Sequence, residues 1–199
     1  RPSLRLLRGL ISTLTTKSFL FNREPVWHEH RQGHQYHLPD AVHSWVYEPG
    51  SLTKRLRDYY GNGIKVDLLF HRWRTPYLSE GRQLGLPMYR YALTREVMLH
   101  IKGSPLLLAR TIMPEDTIKV AHRNLSHLGT RPLGEVIFSY PDLERITMDL
   151  TLISPVSWTQ QTRQKAAIQQ SLWGRRTIYA IRNRPMLVSE FFLPEILAH

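Results

Sequence analysis

Cysteine is absent from the 199 residues, which excludes disulfides, thiolate metal sites and cysteine nucleophiles together. Acidic residues are scarce, 16 against 27 lysines and arginines, so the chain carries a net charge of +11. That excess points to anionic partners: nucleic acid, phospholipid or small polyanionic metabolites. No apolar run reaches the roughly 20 residues that a membrane-spanning helix needs, and a soluble protein is expected. Internal repeats and low-complexity tracts are also missing. What remains is a length most economically read as one domain, with a core that needs no covalent staples.

Charge is unevenly placed. Arg1, Arg5, Arg8, Lys17 and Arg23 precede the first acid, Glu24. Leu4, Leu7, Leu10, Ile11 and Leu14 fall at helical spacing in the same stretch, among serines and threonines. This reads as an amphipathic first helix, with an organelle transit peptide as the alternative. Residues 1–44 are accordingly expected to be a basic extension and residues 45–199 the folded domain. His28, His30, His34, His37 and His43 match no zinc spacing and sit among Gly33, Pro39 and Pro49, so they read as solvated loop histidines.

Ser51 is a good N-cap for a helix with the stripe Leu52, Leu56 and Tyr59 or Tyr60, closed by Gly61-Asn62-Gly63. Ile64 to Phe70 reads as a strand, followed through Pro87 by a long polar surface connection. Tyr89 to Ile101 and Leu106 to Pro114 flank the turn cluster Lys102-Gly103-Ser104-Pro105, a hairpin. A helix is expected from Asp116 to about Leu128, a strand or helix start at "RPLGEVIF", a strand around Ile146 to Ile153 and a helix across Gln160 to Gln170. Thr177 to Ile181 and Met186 to Phe192 form a second hairpin around Arg182-Asn183-Arg184-Pro185. Hairpins require antiparallel pairing, so the class is α+β, an antiparallel β-sheet with helices packed on one face.

Two charges are out of place in this pattern. Alternation puts Glu190 on one side of the last strand with Met186, Val188 and Phe192, and Arg95 on a face with Leu93, Val97 and Leu99. A carboxylate or a guanidinium on such a face needs a partner or a role. They could form a buried ion pair with each other, or both could surround one polar ligand.

Six blocks now bear on that choice: "SLTKR" (51–55), "LTREVML" (93–99), "LLARTIMP" (107–114), "LGTRPLG" (128–134), "LWGRR" (172–176) and "RPMLVSEFFLP" (184–194). In order and approximate spacing they resemble the chorismate pyruvate-lyase family, the 4-hydroxybenzoate synthases of ubiquinone biosynthesis. The resemblance implies a single α+β domain with flap loops over an enclosed pocket. It also implies elimination of pyruvate from chorismate to give 4-hydroxybenzoate, with no metal or organic cofactor. Carried over onto these blocks, Arg95 would hold the ring carboxylate by a bidentate fork that lysine could not reproduce. Leu52 and Leu133 would offer backbone N–H groups to the same carboxylate, and Glu190 would meet the ring hydroxyl, orienting it or acting as base. Arg110, on the strand after the hairpin turn, is the candidate for the enolpyruvyl carboxylate. Arg175 and Arg176 read as structural, pairing with helix C-termini or nearby acids.

Two features depart from the family pattern: a longer stretch between Gly134 and Leu172, and roughly 45 residues before the first block. A monomer in the cytoplasm is expected, or a mitochondrial protein if residues 1–23 are a transit peptide. A rival reading is a non-catalytic small-molecule sensor of the same fold, though no helix-turn-helix precedes residue 50. Nucleic-acid binding rests on charge alone, since aromatic and basic residues are not interleaved.

Overall fold

Two tight hairpins organise the sheet. In the computed structural model, which describes residues 16–29, 37–121 and 125–198, strand β3 (Ala92–Ile101) turns into β4 (Ser104–Met113) through Lys102 and Gly103, with φ of 48° and 83°. Strand β6 (Leu172–Ile181) turns into β7 (Arg184–Phe192) through Arg182 and Asn183, with φ of 50° and 62°. Two consecutive left-handed residues make the turn whose twist matches that of the strands, which is why both hairpins are only two residues wide at the tip. With β1 (His28–Glu29), β2 (Ile64–Arg74) and β5 (Glu144–Ile153) they form one antiparallel sheet in the order β1-β5-β6-β7-β4-β3-β2. The two hairpins join through β4 and β7, where Thr111 opposes Val188 and Ala109 opposes Glu190.

The longer helices cover one face, as expected of this α+β class. Helix α1 spans Asp40–Val46 and α2 spans Leu52–Tyr60; Ser51 caps α2 through its Oγ, which accepts from the N–H of Lys54, and Gly61 ends it at φ 72°. Trp45, Leu56 and Phe192 form the centre of the packing there. The opposite face carries Met98, Leu108 and Phe191 from the sheet under Leu20, Phe21 and Trp158. The rings of Phe21 and Trp158 lie 4.9 Å apart, and Phe191 meets Trp158 edge-on at 5.1 Å. Each such buried aromatic contributes about 1.5 to 3 kcal/mol by leaving water.

The packing places the domain boundary earlier than residue 44. Leu20 and Phe21 are core residues, and the Asn22 N–H donates to the Ser157 carbonyl, so residues 16–29 belong to the body of the fold. The amphipathic stretch read over 1–23 lies outside the described residues up to residue 15. Strand β2 continues past Phe70 to Arg74, and α3 (Leu78–Gln83) follows where only a surface connection was expected. A bulge between Leu68 and Phe70 shifts the register, and partial exposure on both sides hides the alternation beyond it. Helix α4 is short, Glu115–Val120, rather than running to Leu128. "RPLG" opens helix α5, Leu133–Ile137, and α6 (Gln160–Lys165) ends two residues before Ala167 at φ 51°.

Candidate active site

Strand alternation sorts β3 into two chemistries. Leu93, Arg95, Val97 and Leu99 face the helices, whereas Thr94, Glu96 and Met98 face the other way. Register then carries this sorting across the sheet. Val97, Ala109, Glu190 and Arg175 lie side by side in one row, and Arg95, Thr111, Val188 and Thr177 in the next. Arg95 and Glu190 are therefore diagonal neighbours across β4, with backbones roughly 12 Å apart, over the small side chains Ala109 and Thr111. The space between this floor and helices α2 and α5 is a small cavity that both charged residues line.

The two charges are held differently. Arg95 is 2% exposed and has no carboxylate partner among the described residues. Its Nη2 donates to the carbonyls of Gly129 at 3.1 Å and Arg131 at 2.9 Å, while its Nε is buried without an acceptor. Burial pulls its pKa down to about 10, so the site contains a desolvated cation whose hydrogen bonding is incomplete. Glu190 is paired: Arg175 Nε donates to its Oε2 at 2.7 Å. The Arg175 Nη1 donates to the carbonyls of Val46 at 2.9 Å and Glu48 at 2.8 Å, where helix α1 ends. Burial alone would lower the Arg175 pKa, but Glu190, Tyr179 and Glu48 outweigh it and raise it.

Leu52 and Leu133 are the first residues of α2 and α5 and both line the cavity. The first N–H groups of a helix have no carbonyl within it to bond, so both positions bring backbone donors without an intrahelical acceptor to the cavity wall. The two helices are pressed together there: a Cβ on Gly134 would stand 2.6 Å from the capping Ser51 Oγ. Arg57 of α2 and Glu135 of α5 form an ion pair on the outer side of this seam.

Four of the five residues singled out in the sequence, Leu52, Arg95, Leu133 and Glu190, line one cavity. Arg110 does not, and its candidacy for a substrate carboxylate is corrected. It lies on the other face of β4, where Nε and Nη2 bond both oxygens of Glu80 at 2.7 and 2.9 Å and Nη1 bonds Glu96 at 2.7 Å. Nη1 also donates to the Lys17 carbonyl at 2.9 Å, and the guanidinium lies over the Tyr77 ring at 4.7 Å. Glu96 is pinned in turn by Ser18 Oγ and the N–H groups of Phe19 and Leu20. Arg110 is thus a structural clamp between the sheet, α3 and residues 17–20. Arg95 does not pair with Glu190 either, whose partner is Arg175. Arg176 bonds Asp149 and Ser79, so both arginines of "LWGRR" are structural, one behind each face.

Sequence reading missed Tyr179. Its buried ring lines the cavity, its hydroxyl accepts from Arg145 Nη2 at 3.1 Å, and burial, with Glu190 adding to it, raises its pKa. Nothing in an alternating strand separates such a tyrosine from a packing residue.

Fold and cavity together define an α+β domain with a small cavity between one sheet face and the first turns of two helices. The effector domain of PhnF from Mycobacterium smegmatis has the same fold, with a TM-score of 0.53 at 12% identity over 73% of this chain and 90% of that one. A GntR-family transcriptional regulator from Bacillus cereus aligns with a TM-score of 0.51 at 14% identity, over 67% and 94%. The chain belongs to the chorismate lyase family, whose sequence profile matches residues 23–199. A probable chorismate pyruvate-lyase of Methylococcus capsulatus is 40% identical over 79% of this chain and 97% of its own length. One from Alcanivorax borkumensis is 35% identical over 80% and 72%.

Proposed function

We propose that this protein is a chorismate pyruvate-lyase that releases 4-hydroxybenzoate for ubiquinone biosynthesis and works as a monomer in the cytoplasm. The observation that carries the reading is Arg95, a buried cation without a carboxylate, facing a cavity that also holds Glu190. An arginine left this way is costly in an empty site and is answered by a ligand carboxylate. Among the described residues no helix is long and apolar enough to cross a membrane.

In the proposed complex the ring carboxylate takes the free Nε of Arg95, with the N–H groups of Leu52 and Leu133 beside it. The ring lies over Ala109 and Thr111, and Glu190 accepts a hydrogen bond from the ring hydroxyl at the far end. Arg175 bonds Glu190 and fixes its direction. The ring then loses the proton from the carbon bearing the hydroxyl as the neighbouring C–O bond breaks. The C–H electron pair completes the aromatic ring, and the ether electrons leave with enolpyruvate, which becomes pyruvate. The protein contributes positioning and electrostatic support, since aromatisation supplies the driving force. Arg95 is the only cation lining the cavity among the described residues, so the enolpyruvyl carboxylate has no arginine of its own.

The test is incubation of purified protein with chorismate, without added metal or cofactor, with 4-hydroxybenzoate and pyruvate followed by chromatography. Equal amounts of both, lost in Arg95→Lys, support the lyase. Unchanged chorismate together with tight binding of 4-hydroxybenzoate would make the domain a sensor instead.

A further inference from the structure

The connection from β2 to β3 exposes an unusual set of side chains. Leu78 is 55% exposed, Met88 72%, Tyr89 83% and Tyr91 59%, with Trp73 at the end of β2 at 41%. These account for five of the twelve large apolar side chains exposed among the described residues. Tyr89 also sits at φ 63°, a conformation that a bulky residue adopts only under strain.

Leu78, Met88 and Tyr89 rim a groove that Lys17, Arg82 and Arg90 also line, and no acidic side chain lines it among the described residues. Arg82 makes no hydrogen bond or ion pair with them. Lys17 spends its ammonium on the neutral Pro76 carbonyl at 3.2 Å. The acids nearby are already answered: Glu80 by Arg110, Glu115 by Lys119 and Arg90, and Glu24 by the Ser79 N–H. The surface is thus cationic at its base and apolar at its protruding tips.

We propose that this face is a membrane-docking surface, on which Leu78, Met88 and Tyr89 enter the headgroup layer of an anionic bilayer while Lys17 and Arg82 meet its phosphates. A small soluble anion would fill the groove and leave the tips in water. A charged lipid surface covers tips and cations at once, and the chain's charge of +11 complements it. Docking of this kind is peripheral and asks nothing of the catalytic cavity.

The experiment is cosedimentation of the full chain with phosphatidylcholine vesicles, with and without phosphatidylglycerol, at physiological ionic strength. Binding is expected only when the anionic lipid is present. Arg82→Glu alone should weaken it about fivefold or more. The triple variant Leu78→Ser, Met88→Ser, Tyr89→Ser, which leaves the charge unchanged, should abolish it, whereas Val156→Ser at an exposed position elsewhere should not. Chorismate turnover in solution, measured on the same preparations, should stay at the unmodified level and so reports folding independently. Three results would overturn the proposal: no binding to anionic vesicles, undiminished binding by the triple variant, or displacement from vesicles by millimolar glycerol phosphate.

Discussion

Arg175 Nε and Glu190 Oε2 are 2.7 Å apart, on residues that directly oppose each other across β6 and β7. The pair explains how an acid sits in a buried strand without destroying it. Arg175 is wholly buried and anchored on the carbonyls of the α1 terminus, while Glu190 remains 13% exposed toward the cavity. One partner holds and the other is presented.

Glu190→Gln keeps the shape and removes the charge. Turnover is expected to fall about a hundredfold or more, as loss of a positioned carboxylate does. Arg175 retains its carbonyl acceptors, so a cooperative unfolding transition should survive. Steady-state kinetics beside a denaturant melt check both halves; an active Gln variant would remove Glu190 from the mechanism.

Two buried arginines should behave in opposite ways. Arg95→Met is expected to abolish turnover yet leave the unfolding midpoint at or above that of the parent, because it removes a cation that no acid compensates. Arg110→Met strands Glu80 and Glu96 and should cost about 3 to 5 kcal/mol, a fall in Tm of roughly 10 °C. Calorimetry on the two variants tests the contrast. A large loss in Arg95→Met would show that its bonds to Gly129 and Arg131 outweigh its buried charge.

Gly174 is the residue of "LWGRR" whose role is steric. A Cβ there would stand 2.6 Å from the Phe191 ring and 3.1 Å from the Glu190 carbonyl. Gly174→Ala should destabilise by about 1 to 3 kcal/mol through overpacking. By shifting β7 it should also raise KM or lower kcat, whichever Glu190 controls. Unchanged kinetics would mean that the strand yields without moving the carboxylate.

His71 opposes Arg95 in the sheet, and burial, with the charges of Arg95 and His127 adding to it, holds its pKa below the ordinary histidine value. The folded protein therefore keeps it neutral at a pH where the unfolded chain takes up a proton. This contribution to stability is present above the ordinary histidine pKa and is lost as pH falls through the depressed one. Denaturant midpoints between pH 7 and 5 should decline less steeply in His71→Asn than in the parent. Parallel declines would assign the acid sensitivity elsewhere.

By itself the sequence determined the hairpins, the capped helix at Ser51, the α+β class and the family blocks, because turn residues, caps and strand alternation act over a few neighbouring positions. It also marked Arg95 and Glu190 as charges on apolar faces. It left open whether they meet each other or a ligand, and it misread Arg110, since a guanidinium on a strand looks the same whichever face it occupies. Register decided that they do not meet each other, since pairing β6 with β7 set Arg175 opposite Glu190, and helix α3, absent from the sequence reading, brought Glu80 to Arg110. Partners on other strands and helices decide whether a buried charge is clamped or left open, and that information exists only once the sheet has formed.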